Sequence, residues 1–373
     1  MTIILNDTRI PIWLDCDPGH DDALAIILAC FHPSLNLVGI STVHGNTSLK
    51  NTTSNALTLL SILDKAVQVP VFSGATHPLI KEENLVTTAD YIHGKSGLDG
   101  SDLFLKIKHD IHNLTSPKSD NINDTLFNLN QTIDLYQDKL VLIATGPLTN
   151  LALLFQMYPQ SINKINKISI MGGSIGFGNK TPFAEFNFWC DPLATAKIFN
   201  NSQIHDKILL APLNITHTLL VTKDVLKNIL KPQNSPISSG SSSSSSSSNF
   251  RKMIYDLLTF FAKTNEAEQN WFDGPPLHDP LAIALVLNFF QKDNVSVKDP
   301  SSLNNYNLNV NFNCCKVRSI SHGLQKGMIQ ILQDNIPHGN GVMIAESLNI
   351  DAFWKILYDV IDLADNVSPA NIL

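Results

Sequence analysis

Short apolar runs alternate with longer stretches of helical periodicity along the first half of the chain. Each apolar run ends in polar or turn-forming residues, which predicts strands at residues 10–14, 35–43, 67–72, 140–144 and 165–171. The stretches between them predict helices at residues 23–31, 49–63 and 148–155. Strands that alternate with helices form βαβ units, so the pattern predicts an α/β fold with a mainly parallel central sheet flanked by helices.

One segment, residues 235–249, interrupts this pattern. It contains Gly240 followed by eight consecutive serines and cannot bury apolar surface, so we expect it to be disordered. Apolar helical sequence resumes at Phe250 and continues to about residue 262. A separate domain on either side would lack several of its strands. The segment is therefore interpreted as an insertion within a single domain that spans residues 1–373.

Composition excludes several classes of protein. The chain has 373 residues, with 26 Lys and Arg against 33 Asp and Glu, and this acidic balance argues against a nucleic-acid partner. No run approaches the roughly 20 apolar residues of a membrane span, and the N-terminus lacks a secretory leader pattern. The five cysteines form neither an even disulfide framework nor a CxxC metal pattern. We therefore expect a cytoplasmic protein, with the nucleus as a second location.

The densest chemical signal is a group of four acids, Asp15, Asp17, Asp21 and Asp22, at the end of the first predicted strand. Such carboxylates repel one another unless a proton or a cation neutralises them. A Pro-Gly turn folds the later pair back towards the earlier pair, and oxygen-only ligands favour Ca²⁺ or Mg²⁺. Helix capping by solvated acids is the alternative interpretation, and it is the weaker one for four clustered acids.

Other candidates are individually weak. Asp279 opens an apolar run and could cap a helix or reach the same metal ion, and Thr145 stands at a strand end where its carbonyl could do so. A polar group near residue 180 suits recognition of sugar hydroxyls, with an aromatic ring covering the sugar, although an ordinary polar loop is an equally good interpretation; it comprises Asn179, Glu185, Phe186 and Asn187.

Six separated motifs, taken in order, resemble the inosine–uridine preferring nucleoside hydrolases. They are DCDPGHDD at 15–22, HGN at 44–46, ATGPLTNLA at 144–152, MGGSIGFGN at 171–179, AEFN at 184–187 and LHDP at 277–280. The resemblance implies a single-domain Rossmann-like fold with Ca²⁺ at the strand ends. It also implies hydrolysis of nucleoside N-glycosidic bonds through an oxocarbenium-like transition state, in nucleoside salvage.

The resemblance carries site residues over by position. The calcium ligands would be Asp17, Asp22, the carbonyl oxygen of Thr145 and Asp279, with Asp17 as general base. The ribose would be held by Asp21, Asn46, Met171, Asn179, Glu185 and Asn187. His278 would stand beside the base, either as the acid that protonates it or as a hydrogen-bonding wall; both interpretations stay open.

The preferred base is less clearly marked. Pyrimidine-preferring bacterial relatives pair a tyrosine with two histidines, and this chain has His93 and His278 but Asn270 and Trp271 where the tyrosine would fall. The stretch 93–100 resembles those relatives, and the polar inserts resemble fungal uridine hydrolases. We therefore expect uridine as the main substrate, with nicotinamide riboside as a further one. The family resemblance also implies a homodimer or homotetramer.

Two other classes of function fit part of the sequence. Asp15 and Asp17, separated by one residue after a strand, match the opening of a Mg²⁺-dependent haloacid-dehalogenase-type phosphatase, although Gly19 stands where that motif expects Thr or Val. A non-catalytic nucleoside binder that uses Ca²⁺ as a clamp would keep the ligands without needing a free base. Phosphate release distinguishes the first alternative, and binding without turnover distinguishes the second.

Overall fold

The strands of the computed structural model form one mixed sheet. The structure describes residues 8–80, 88–111, 116–232, 247–291 and 306–373. Within those ranges the strands are β1 (Ile10–Cys16), β2 (Leu35–Thr42), β3 (Val71–Ser73), β4 (Val141–Ala144), β5 (Lys167–Met171), β6 (Ile208–Ala211), β7 (Asn311–Ser319), β8 (Ile329–Gln333) and β9 (Val342–Ser347).

The sheet is mainly parallel, as predicted. Its strand order is β3-β2-β1-β4-β5-β6-β9-β7-β8, and only β7 runs antiparallel to its neighbours β8 and β9. The chain leaves β1 towards β2 on one side and later returns to place β4 on the other side. Open α/β sheets bind ligands beyond the carboxyl ends of the strands at such a reversal. The ends of β1 and β4 are therefore where a site is expected.

Helices cover both faces of the sheet. In chain order the helices of the described residues are α1 (His20–Phe31), α2 (Leu49–Ile62), α3 (Asp90–His93), α4 (Asp102–Ile111), α5 (Ile122–Leu135), α6 (Thr149–Met157), α7 (Phe186–Cys190), α8 (Pro192–Phe199), α9 (Leu213–Thr216), α10 (Lys223–Ile229), α11 (Asn249–Gln269), α12 (Pro280–Gln291) and α13 (Ile350–Val367). One face packs mainly against α1, α11, α12 and α13, and the other against α5, α6 and α8.

Two predicted elements begin three or four residues away from their predicted start. The strand predicted at 67–72 begins only at Val71, because Val67 lies 96% exposed in a turn whose backbone amides bond back to the carbonyl of Lys65. The helix predicted at 23–31 begins at His20 instead. Its first turn therefore includes Asp21 and Asp22 ahead of the apolar stretch.

The last residues of the predicted serine-rich insertion belong to ordered structure. Ser248 caps α11 by accepting a hydrogen bond from the Arg251 amide, and the Ser247 hydroxyl donates to the carbonyl of Leu230 at 2.9 Å. Asn249 is the first residue of that helix. The rest of the predicted insertion, residues 235–246, lies outside the described residues.

A buried arginine secures the same region. The Arg251 guanidinium is 2% exposed and donates to the carboxylates of Asp362 and Asp365 on α13. Its Nη1 also donates to the carbonyls of Ile229 at 2.8 Å and Lys231 at 3.2 Å, at the end of α10. Helices α10, α11 and α13 therefore meet at one charged, hydrogen-bonded point.

No helix within the described ranges is long and apolar enough to cross a bilayer.

Candidate active site

The turn between β1 and α1 brings the acids to the carboxyl edge of the sheet. The Gly19 amide donates to the Asp22 carboxylate at 2.9 Å, which folds the start of α1 onto the turn. A Cβ at Gly19 would lie within 2.6–2.8 Å of side-chain atoms of His93 and Asn46, so only glycine fits there. The turn thereby packs the acids against two other candidate site residues.

Three carboxyl groups converge beside this turn. One oxygen from each of Asp21, Asp22 and Asp279 lies within 4.8 Å of the others, and all three residues are buried. Burial, with repulsion from Asp22, raises the pKa of Asp21 to about 7. Burial and the neighbouring aspartates also raise the pKa of Asp279 well above its ordinary value. Asp279, from far along the chain, therefore lies beside two of the N-terminal acids.

Three buried carboxylate oxygens of the N-terminal acids accept no hydrogen bond from the part of the chain that the structure describes. They are Oδ2 of Asp15, Oδ1 of Asp17 and Oδ1 of Asp21. The other oxygen of Asp17 accepts the Asn46 amide at 2.7 Å. Burial raises the pKa of Asp17, and the charge of Asp22 raises it further. Unpaired carboxylate oxygens among several acids fit a divalent cation, which would supply the missing partner.

Thr145 joins the cluster from the end of β4. Its hydroxyl donates to Asp22 at 2.8 Å, and its carbonyl accepts the side-chain amide of Asn187 at 2.8 Å. The side chain of Asn187 also lies 3.6 Å from the sulfur of Met171, at the end of β5. The strand ends thus connect the acidic cluster to the polar loop near residue 180.

One cavity brings the predicted ligand-facing residues together. Asp17 and Asp22 do not line it and are buried beside residues that do. The predicted residues that line it are Asp21, Asn46, His93, Thr145, Met171, Asn179, Glu185, Phe186, Asn187, His278 and Asp279.

Glu185 acts within its own loop. Its carboxylate accepts the backbone amides of Asn187 at 2.8 Å, Gly173 at 2.9 Å and Phe188 at 3.1 Å, and so caps α7. Burial raises the pKa of Glu185, and these amides oppose the rise. The neighbouring Asn179 accepts the Phe186 amide at 3.0 Å. Both side chains therefore fix the loop that presents Asn187 to the cavity.

Comparison with known proteins decides the family. The family model described as "Inosine-uridine preferring nucleoside hydrolase" matches residues 12–355 of the chain. The chain belongs to this family. It is a nucleoside hydrolase, an enzyme that cleaves the N-glycosidic bond of ribonucleosides by hydrolysis.

Individual relatives agree. The chain is 36% identical over 369 residues to a uridine nucleosidase of Saccharomyces cerevisiae, covering 97% of this chain and 98% of that protein. It is 37% identical over 280 residues to the pyrimidine-specific ribonucleoside hydrolase RihA of Salmonella arizonae, covering 74% and 79%. These matches favour the nucleoside hydrolase over the phosphatase alternative.

Solved structures support the fold. The purine-preferring ribonucleoside hydrolase from Gardnerella vaginalis superposes with a TM-score of 0.75 at 22% identity, covering 96% of this chain and 100% of that one. The plant nucleoside hydrolase PpNRh1 gives a TM-score of 0.73 at 24% identity, covering 95% and 99%. The architecture is therefore that of nucleoside hydrolases.

A stacked histidine pair borders the cavity of this nucleoside hydrolase. The rings of His20 and His93 lie 5.3 Å apart, their Nδ1 atoms are 3.0 Å apart, and Phe261 stacks on both. His20 Nε2 is 2.9 Å from the carbonyl oxygen of Asp99. His93 could be proposed from the sequence but His20 could not, because nothing local indicates that residues 73 positions apart stack.

His278 belongs to a second aromatic group that sequence analysis only partly found. Its ring lies 5.7 Å from that of His217, which meets Trp271 edge-on at 4.9 Å. The Nδ1 atom of His278 is 2.8 Å from the hydroxyl oxygen of Thr216. Burial and His217 lower the pKa of His278 to about 3, so its imidazole is neutral near pH 7.

Asp15 separates from the other acids. Its carboxylate accepts hydrogen bonds from the Ser41 hydroxyl and from the Asn150 side chain, the latter at 2.7 Å. Burial raises the pKa of Asp15 to about 7. Of the four acids that the sequence grouped together, Asp15 therefore supports the strand ends instead of joining the carboxyl cluster.

Proposed function

We propose that this nucleoside hydrolase acts preferentially on uridine, with nicotinamide riboside and other ribonucleosides as further substrates. The full-length similarity to a uridine nucleosidase and the similarity to pyrimidine-specific relatives support this preference. The convergence of buried acids with amide side chains in one cavity carries the assignment of the site.

The proposed cofactor is Ca²⁺, held by Asp17, Asp22, the carbonyl oxygen of Thr145 and Asp279. The all-oxygen donor set and the unpaired Oδ1 of Asp17 support this choice. A bound Ca²⁺ would lower the pKa of a water molecule in the site and anchor the ribose hydroxyls. Asp21 stands in the same carboxyl cluster and lines the cavity, so it is placed to accept hydrogen bonds from the ribose.

Asp17 is the proposed general base. Its Oδ1 is buried and accepts no hydrogen bond from the described residues, whereas its Oδ2 is held by the Asn46 amide. One oxygen is therefore fixed while the other is open to take the proton of the attacking water. Burial keeps the carboxylate from being stabilised by bulk solvent, which makes it a stronger base when ionised.

The remaining cavity residues are proposed to hold the nucleoside. Asn46, Asn187, Met171, Asn179 and Glu185 surround the ribose, with the Phe186 ring over it. The acids and amide oxygens stabilise positive charge as it develops on the sugar ring in the transition state. On the base side, His278 either donates a proton to the base or forms a hydrogen-bonding wall of the base pocket, and His93 contacts the base. A pyridinium base departs neutral and needs no acid, which makes nicotinamide riboside chemically suitable.

The experiment is release of ribose from uridine, inosine, cytidine and nicotinamide riboside, repeated after metal stripping and after return of Ca²⁺. We expect uridine to give the highest kcat/KM and Ca²⁺ to restore the lost activity. A higher kcat/KM for inosine would overturn the base preference. Binding of uridine without any ribose release would favour the non-catalytic binder.

We further propose a homodimer or homotetramer in the cytoplasm, with the nucleus as a second location. Light scattering coupled to size-exclusion chromatography tests the oligomer, and a monomeric mass would contradict it.

A further inference from the structure

We propose that Thr216 is a positioning residue that fixes the tautomer of His278, so that the Nε2–H of this histidine faces the nucleobase. The inference rests on the proposed function, because it concerns how the departing base is stabilised. Thr216 does not line the cavity and is fully buried at the end of α9. Any effect it has on the base must therefore pass through its neighbour.

The donors and acceptors of Thr216 and His278 determine which ring nitrogen of His278 carries the proton. A threonine hydroxyl carries one proton, and a buried hydroxyl donates it to an acceptor. Among the described residues, the side-chain partner of Thr216 Oγ1 is His278 Nδ1, at 2.8 Å. If Nδ1 carried the ring proton, the threonine proton would point at no acceptor there. The hydroxyl therefore donates to Nδ1, and a neutral ring then carries its own proton on Nε2.

The backbone around this pair holds the geometry. Helix α9 is tied to the turn after β5, because the Leu213 amide donates to Gly173 at 2.9 Å and the Asn214 side chain accepts the Ile175 amide at 2.8 Å. The segment before His278 is tied to the residues after α9, since the Leu277 amide donates to the carbonyl of Leu219 at 2.8 Å. Thr216 and His278 thus sit on two backbone segments that are joined next to the contact.

The consequence for the reaction concerns charge on the leaving group. The C1′–N bond breaks with its electron pair passing to the base, while the oxygen of water bonds to C1′ and the proton of that water passes to Asp17. The departing pyrimidine carries negative charge, which the Nε2–H of His278 stabilises through a hydrogen bond without giving up the proton. The base takes its proton from solvent after release.

The test compares Thr216→Val, which removes the hydroxyl at nearly constant shape, with Thr216→Ser, which keeps it. Two substrates are used with the intact chain and Ca²⁺: uridine, and p-nitrophenyl β-D-ribofuranoside, whose phenolate departs without assistance. Loss of a hydrogen-bond donor to developing charge costs on the order of 10²–10³ in kcat. We expect Thr216→Val to lower kcat for uridine by about that factor with little change for the phenyl riboside. Thr216→Ser should retain most of the uridine rate.

Equal losses on both substrates, or a normal uridine rate in Thr216→Val, would overturn the inference. A double-mutant cycle adds a second readout, because Thr216→Val should cause no further loss of uridine hydrolysis in a His278→Ala background. The same fold loss in both backgrounds would show that Thr216 acts independently of His278, and would also overturn it. Phenyl riboside hydrolysis by the wild type separates this failure from failure of the proposed function, which would abolish both activities.

Discussion

Single carboxyl groups define the chemistry of this site, and each has a distinct environment. Asp21, Asp22 and Asp279 face one another, Asp17 has one oxygen without a donor among the described residues, and Asp15 accepts both Ser41 and Asn150 through a single oxygen. The same residue type therefore serves as cluster member, candidate base or structural support according to its hydrogen bonds. Those differences lead to two predictions at this scale.

Replacing Asp279 with Asn should weaken Ca²⁺ binding. The change removes one of three convergent carboxylates while keeping the size of the side chain, and the amide is a poorer ligand for a hard cation. Isothermal titration of metal-stripped protein with Ca²⁺ measures the affinity, and we expect Kd to rise at least about tenfold, which is about 1.4 kcal/mol. Asp224→Asn, whose side chain is 85% exposed on α10, is the matched control and should bind normally. An unchanged Kd for Asp279→Asn would remove Asp279 from the ligand set.

Replacing Asp17 with Asn should abolish most turnover while the fold survives. The amide cannot accept the proton of the attacking water, and a general base contributes about 10²–10⁴ in rate. Steady-state kinetics on uridine, with circular dichroism to check the fold, give the comparison. A folded Asp17→Asn variant with near-normal kcat would show that another group takes the proton.

At the scale of secondary-structure elements, capping residues and turns set the ends of helices and strands that the hydrophobic pattern does not define. Ser248 caps α11, accepting the Arg251 amide at 3.1 Å and donating to Asp365 at 2.5 Å, although it belongs to a run of identical serines. A run of one residue type carries no periodicity, so the sequence could not indicate which serine begins the helix. The strand predicted at 67–72 was also misplaced, because a turn, and not apolar character, sets its start.

Ser248→Ala should lower the free energy of unfolding by about 1 kcal/mol, the usual cost of losing a helix N-cap. Ser243→Ala, within the same serine run, is the control and should leave stability unchanged. Urea unfolding monitored by circular dichroism compares the two variants. Equal stability of both would mean that the cap contributes nothing.

Deletion of residues 238–245 should likewise leave the free energy of unfolding unchanged, whereas extending the deletion through Ser248 should lower it.

Over the whole molecule, the sheet concentrates acids at one edge, and folding depends on how they are neutralised. The parallel sheet and the convergence of β1 and β4 could be predicted, because the strands are contiguous apolar runs and parallel strands end at one edge. The sequence motifs at 15–22 and 277–280 also identified the acids that lie at this edge. The pairing of His20 with His93 and of His217 with His278 could not be predicted, because each depends on packing between segments distant in the chain.

In the metal-free enzyme, the stability that the buried acids contribute should fall as pH rises from about 4 to about 7. Buried His20, His44 and His278, whose pKa values burial lowers to about 4, 4 and 3, contribute in the opposite direction. The pKa values of Asp15 and Asp21 rise from 3.8 to about 7 on folding, so the folded state binds protons more tightly than the unfolded state. That stabilisation is complete below the unfolded pKa and disappears as pH passes the folded pKa. Stabilisation by Ca²⁺ should increase over the same window, because the ion competes with protons for the carboxylates.

Thermal unfolding, measured with a chelator and with Ca²⁺ at several pH values across this window, tests the prediction. Asp21→Asn removes one of the titrating acids, so its metal-free Tm should rise relative to that of the wild type as pH increases across the window. A Tm difference between the two proteins that stays constant would contradict the proposed linkage.

The described residues on either side of the serine-rich segment are bonded to each other. Ser247 bonds to Leu230, and Arg251 bonds to Ile229 and Lys231, so the chain leaves and re-enters the described fold at the start of α11. Lengthening a connection between ends that are already held together costs little free energy. Codon repeats that lengthen or shorten this segment should therefore leave the folded enzyme intact. The same position is a natural place to insert an affinity tag or a fluorescent domain, or to open the chain in a circular permutant.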